Sequence, residues 1–200
     1  HNGCSNHGDL ILSGSSATFF TVGGFVTRHF QRITYLDCHN YGDVTFDGTS
    51  STGQACYVGG LIALNTNGYA MIKNCSNSGS LYGSAKADYC YMGGMIGRLS
   101  NRYKFEGCTN SGAVEYAGEN DHNALISGFI GNSANGSSTG TFINCTSSGS
   151  AKHTGNMTSS SRNLFIGGYI GYVPSQKGLI SFTGCTHSGS VLANGRCQSS

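Results

Sequence analysis

One short phrase recurs six times in 200 residues, opening on a cysteine and reaching a glycine four places later: Cys4 and Gly8, Cys38 and Gly42, Cys75 and Gly79, Cys108 and Gly112, Cys145 and Gly149, Cys185 and Gly189. Successive cysteines lie 34, 37, 33, 37 and 40 residues apart, so the chain reads as five full repeats and part of a sixth. A unit of that length cannot bury its apolar face alone; copies bury a continuous core by stacking. A position refilled by glycine in every copy needs either positive φ or close backbone approach.

Further columns align with the first. Two residues after the cysteine stand Asn6, Asn40, Asn77 and Asn110, then Ser147 and His187. Asn tolerates left-handed geometry and bonds its own backbone, so this position reads as a turn. Tyr35, Ile72, Phe105, Phe142 and Phe182 lie three residues before a cysteine, and Leu10, Val44, Leu81, Val114, Ala151 and Val191 follow the turn glycine. A further signature recurs as VGGFVT, VGGLIA, MGGMIG, ISGFIG and IGGYIG. Apolar residues around a glycine pair fit a buried strand with a close neighbour.

No helical apolar period is sustained, and the single proline suits a chain full of ladder donors. The expected fold is all-β: one β-solenoid domain over residues 1–200, with about three short strands per rung and Gly, Asn and Ser corners. A propeller, the competing all-β reading, needs four strands per blade, for which these repeats are short.

The segment GGLIALNTNGYAMIKNCSNSGSL, residues 59–81, resembles the GLUG-type repeat of microbial surface proteins, and the resemblance recurs in all five repeats. Thr27 and Ala63 depart from it, standing where its last glycine would fall, and three cysteines are extra. The resemblance implies an elongated β-solenoid in an exported surface protein of adhesive or unassigned role, and implies no catalytic residue.

Composition narrows the function classes. A net charge of +2, with no run of Lys or Arg, leaves no phosphate-binding footprint, so nucleic acid is not an expected partner. No apolar run approaches the roughly 20 residues that span a bilayer, so no membrane insertion is expected. The chain opens at His1 without a signal core, which reads as a processed chain or a piece of something longer. Nine cysteines without paired CxxC spacing point to an oxidising setting, extracellular or at the cell surface.

No catalytic residue, metal site or cofactor is assigned. All the acids lie in the first 121 residues. Asp9 and Asp43 share the position after the turn glycine and read as solvated corner acids. Glu115, Glu119, Asp121 and His122 crowd one polar loop that lacks the ligand spacing of a calcium site. His7, His39 and His187 fall near the corner without forming a recognisable ligand set. Asn74, Asn135, Asn144 and Asn156 begin glycosylation sequons. Asn74 and Asn144 are the stronger candidates, because each precedes a corner cysteine and points outward if that cysteine points in.

Two functions from different classes remain. The first is a non-catalytic structural or adhesive protein whose partner is itself, stacked head to tail as a fibre subunit, because an uncapped solenoid end leaves an open strand edge. The second is a carbohydrate-binding module or glycan-active β-helix enzyme, for which Tyr57 and Tyr91, matched before the glycine pair, form the beginning of an aromatic platform.

A Cα spacing of about 4.8 Å between rungs falls inside the range a disulfide accepts. The expected bonds are Cys4 to Cys38, Cys75 to Cys108, Cys145 to Cys185 and Cys56 to Cys90, with Cys197 left to join a neighbouring subunit.

Overall fold

The computed structural model describes residues 1–17, 20–50, 54–134, 139–157, 163–173 and 179–194, all strands, bridges, turns and bends without a helix. The chain winds as a β-solenoid, and every strand pairs in parallel with its counterpart in the next coil.

Each coil crosses five sheets. The first holds the two-residue strands Ser5–Asn6, His39–Asn40, Ser76–Asn77, Thr109–Asn110, Thr146–Ser147 and Thr186–His187. The second holds Leu10–Ala17, Val44–Ser50, Leu81–Gly83, Val114–Tyr116, Ala151–His153 and Val191–Ala193. The third runs through Phe20–Gly23, Ala55–Gly59, Ala87–Gly93, Asn120–Ser127 and Asn163–Gly167, and the fourth through Val26–His29, Ile62–Asn65, Ile96–Ser100, Ile130–Ala134 and Ile170–Tyr172. The fifth, made of Ile33–Leu36, Ala70–Lys73, Tyr103–Glu106, Gly140–Ile143 and Ile180–Thr183, leads back to the cysteine corner.

The coil is divided more finely than three strands for two reasons. The Gly pair splits one apolar run into the third and fourth sheets, and the position read as an Asn turn is itself a short strand. The expected columns stack in register, with Ile72 between Tyr35 and Phe105, and Phe142 between Phe105 and Phe182. Phe105 and Phe142 lie nearly parallel with ring centroids 5.1 Å apart, and Phe142 and Phe182 follow at 4.8 Å. In-register pairing sets like on like, so a buried aromatic finds its stacking partner one rung away.

Of the two reasons for the corner glycine, close approach is the operative one. A Cβ on Gly42, Gly79, Gly112, Gly149 or Gly189 would overlap the carbonyl oxygen of the same glycine one coil earlier. Positive φ occurs instead just before the cysteine, at Gly3, Asp37, Asn74, Gly107, Asn144 and Gly184, with φ between 49° and 63°. Only Gly, Asn and Asp fill that column, and they are the residues that accept left-handed backbone most readily.

The interior is two cores rather than one. The fourth and fifth sheets enclose Tyr35, Ile72, Phe105, Phe129, Phe142 and the corner cysteines. The second and third enclose Val44, Phe46, Val58, Leu81, Val114 and Cys90. Between them the coil is pinched, because the Asn of the first sheet meets the second glycine of the Gly pair. A Cβ on Gly24, Gly60 or Gly94 would collide with the side chain of Asn40, Asn77 or Asn110.

Asn40, Asn77 and Asn110 are fully buried at this waist. Asn6 Nδ2 donates to Asn40 Oδ1 at 2.7 Å, Asn40 Nδ2 to Asn77 Oδ1 at 2.7 Å and Asn77 Nδ2 to Asn110 Oδ1 at 2.8 Å. Each of these amides also donates to the carbonyl of the glycine two residues on, for example Asn77 Nδ2 to Gly79 O at 2.8 Å. The Asn column is therefore a continuous polar ladder. Each buried amide is satisfied by its copies, which avoids the cost of an orphaned polar group.

Candidate functional site

The outer side of the waist is a crease between the third and fourth sheets. In its first coils lies a cleft of about 320 Å³ lined by Arg28, Gln54, Ala55, Tyr57, Leu64, Tyr89 and Tyr91. Residues from two sheets meet there because the Gly pair turns the chain sharply: a Cβ on Gly59 would overlap the Ile62 carbonyl.

Register builds the walls. Tyr57 pairs with Tyr91 and Thr21 in the third sheet, while Leu64 pairs with Arg28 and Arg98 in the fourth. The Tyr57 and Tyr91 rings stack with centroids 5.3 Å apart, and Tyr89 continues the set 6.3 Å from Tyr91. Arg98 braces this stack: its Nη1 donates to Tyr57 Oη at 3.3 Å, and its Cζ lies 5.9 Å from both the Tyr57 and Tyr91 centroids. Arg98 Nε is buried without a hydrogen-bond partner. Burial pushes the Tyr91 phenol up to about 12, so it stays a neutral donor near pH 7. Arg28 is exposed, its Cζ 4.3 Å from the Phe30 ring. Among the described residues neither arginine is paired with a carboxylate. The sequence signalled Tyr57 and Tyr91; Arg28 and Arg98 each stand directly after a Gly-pair signature, but Leu64, Asn132 and Tyr172 fill that column in the other coils, so no residue type recurs there to mark it.

The cysteines align as expected, but the eight described ones, Cys4, Cys38, Cys56, Cys75, Cys90, Cys108, Cys145 and Cys185, are free thiols, not the four predicted disulfides. In-register parallel strands hold equivalent Cβ atoms about one strand spacing apart, near 4.8 Å, and aim them in the same direction. A disulfide needs Cβ atoms converging to about 3.5–4.5 Å, so the Cα criterion alone was too permissive. Each corner sulfur turns instead to the carbonyl two residues back, as Cys38 to Leu36 O and Cys75 to Lys73 O, both at 3.2 Å. Burial pushes the Cys56 and Cys75 thiols up to about 12 and Cys90 well above its ordinary value. These are inert core groups rather than nucleophiles. Cys197 lies outside the described residues.

Asn74, Asn144 and Asn156 are exposed, and Cys75 and Cys145 are buried beside the first two. Asn135 lies outside the described residues. Asp9 and Asp43 are not simply solvated: Asp9 Oδ1 accepts from the Asp43 amide at 2.9 Å and Asp43 Oδ1 from the Ser80 amide at 2.7 Å, each carboxylate tying the next coil. Glu119 pairs with Lys86 at 3.2 Å and Glu115 accepts from Thr154 Oγ1 at 3.0 Å, while the side chains of Asp121 and His122 are outside the described set. His7 stacks on Tyr41 and His39 bonds Ser76 Oγ at 2.8 Å. Among the described residues no group of three or more His, Cys, Asp or Glu is placed to hold a metal ion.

No curated protein and no solved structure matches the chain. One family model does: the GLUG motif, over residues 54–82, which span the Tyr57 wall of the cleft, the Gly59–Gly60 pinch and the Cys75–Asn77–Gly79 corner. That motif is set in a ladder of parallel coils that repeats its columns, so the chain is a repeat β-solenoid that carries the GLUG motif over residues 54–82.

Proposed function

We propose that the chain is a non-catalytic structural or adhesive module of the extracellular surface, whose coils add end to end to further copies of itself. The observation that carries this reading is that every coil is a template for the next: in-register parallel pairing sets Phe142 on Phe105, Phe182 on Phe142 and Val191 on Ala151. A coil face of this kind offers a parallel edge over an apolar cross-section, on which a coil of another copy stacks as a coil of the same chain does.

Exposed Asn74 and Asn144 are suited to carry sugar, and the GLUG motif and charge-poor surface support a surface setting. A glycan-active enzyme finds less support, since Asp9, Asp37, Asp43, Glu106, Glu115 and Glu119 engage amides, lysines or a hydroxyl rather than converging on one groove.

Sedimentation and electron microscopy of residues 1–200 test the proposal. Concentration-dependent assemblies with an axial repeat are expected, and they are lost on Phe182→Asp. A monodisperse monomer at all accessible concentrations overturns self-stacking.

A further inference from the structure

We propose that the crease cleft is a binding site for an anionic oligosaccharide, a linear sugar chain bearing carboxylates such as a polyuronate. It goes beyond the stacking reading and does not depend on it, because the cleft is complete within one chain.

Three observations carry the assignment. First, the cleft joins an aromatic wall to a cationic one. Tyr57, Tyr89 and Tyr91 stand on one side and Arg28 on the other, with the Gln54 and Ala55 segment between rungs. A pyranose presents an apolar C–H face and a rim of hydroxyls, so a mixed wall of tyrosine and amide suits it. Second, among the described residues the charge in the cleft has no carboxylate counterpart. Its lining contains no carboxylate, and Asp88, next to Tyr89 in the strand, is 6% exposed. An exposed guanidinium beside an apolar surface is a bidentate receptor for a carboxylate. Third, the aromatic wall extends along the axis over two adjacent rungs, between Thr21 and Leu125 of the same column. The 5.3 Å between the Tyr57 and Tyr91 centroids is comparable to the length of one pyranose residue, so two successive sugars of a linear chain lying along the crease meet the two tyrosines. Two coils beyond Tyr91, Phe165 and Tyr172 pair across the same two sheets with centroids 4.8 Å apart.

Arg98 has a different part. Bonded to Tyr57 Oη and set against both rings, it holds the tyrosine stack in place and is a positioning residue. Arg28 is the group that meets the ligand. Nucleic acid fits less well, since the chain carries no basic run and a net charge of only +2.

The test is a titration of residues 1–200 with linear tetragalacturonate, followed by amide chemical shifts and calorimetry, with cellotetraose and sodium sulfate as parallel probes. Saturable binding of the uronate is expected, with shifts confined to the strands carrying Tyr57, Tyr91 and Arg28. Arg28→Ala should weaken it about tenfold or more, the scale of one charge-assisted hydrogen bond, and Arg28→Lys should fall between. Because Arg28 is exposed, its variants keep the wild-type melting temperature, which separates lost binding from lost folding. The proposal is overturned by no saturable response at millimolar uronate, by equal affinity for cellotetraose or sulfate, or by binding that Arg28→Ala leaves unchanged. Failure of self-stacking leaves all these readouts intact.

Discussion

The waist of the solenoid changes its chemistry along the axis. From the first coil to the fourth it is a ladder of Asn6, Asn40, Asn77 and Asn110, each amide bonded to the next. In the fifth coil Ser147 stands at the same position, and its hydroxyl donates sideways to Gly168 O at 3.0 Å rather than along the axis. In the sixth His187 fills it. Yet the backbone pairing of the first sheet runs on unchanged through Thr146–Ser147 and Thr186–His187. The parallel backbone ladder thus sets the register, while the asparagines add axial cohesion to the coils that possess them. What every coil keeps is the glycine opposite: Gly128 meets Ser147 and Gly168 meets His187 as Gly60 meets Asn77. Space at the pinch is the invariant requirement, and the group filling it is negotiable.

The largest disruption is expected where no side chain fits on either side of that change. Gly79→Ala places a Cβ against the Gly42 carbonyl, backbone against backbone, so neither atom can swing away. A loss of at least about 4 kcal/mol, or failure to fold, is expected from chemical denaturation. Gly149→Ala, which meets Gly112 O in the same way beyond the last asparagine, should cost as much. A mild effect of either would mean the coils separate more easily than the ladder implies.

Asparagine removal should separate the two regions. Asn77→Ala deletes the bond from Asn40, the bond to Asn110 and the bond to Gly79 O, and leaves buried partners unpaired, at roughly 2–3 kcal/mol. Ser147→Ala deletes one part-buried bond and should cost about 1 kcal/mol. Equal losses would show that the axial ladder adds nothing.

The second lobe offers a pH test. His153 is fully buried in the column of Tyr116 with both ring nitrogens unbonded, and burial lowers its pKa. Near pH 7 both folded and unfolded forms are neutral. Below about 6.5 the unfolded chain takes up a proton that the folded one refuses, so stability falls by up to about 1.4 kcal/mol per pH unit. His153→Leu should flatten that slope in unfolding curves between pH 7 and pH 5. Glu106 acts in a lower window. Hydrogen bonds from Lys104 and Lys73 hold its carboxyl down to about 2, so its contribution is present above pH 4.5 and fades only as the pH falls towards 2. Glu106 titrates below the range between pH 7 and pH 5 in which the His153 slope is read.

The smallest effect sharpens the comparison by extending the ladder. Ser147→Asn supplies an acceptor to Asn110 Nδ2 in a site that already has its facing glycine, Gly128. A gain of about 0.5–1.5 kcal/mol is expected in the denaturation midpoint. The thiol assignment costs no free energy to check: alkylation in denaturant without reductant should label all eight described cysteines, and protection of Cys56 and Cys90 would restore the disulfide between them.

Much of this molecule was legible because its period is its register. Residues 33 to 40 apart in sequence are neighbours one rung apart, so aligning Cys4 through Cys185 also aligned Tyr35 with Ile72 and Leu10 with Val44. Contacts within one column are visible to self-comparison, since like meets like. Contacts between columns are not. That Gly60 faces Asn77 across the coil, that the pinch divides the interior into two cores, and that Arg98 reaches Tyr57 all join positions that share no motif.

The sequence by itself therefore determined the solenoid, the stacking order and which residues lie in rows. The tertiary structure decided which rows face each other, and so turned a supposed Asn turn into a buried ladder. It likewise decided the direction of each Cβ, which leaves aligned cysteines as thiols. The physical reason is that parallel stacking copies a residue's position and orientation along the axis, whereas the shape of one coil depends on backbone bends and contacts that are made once per turn and leave no period to read.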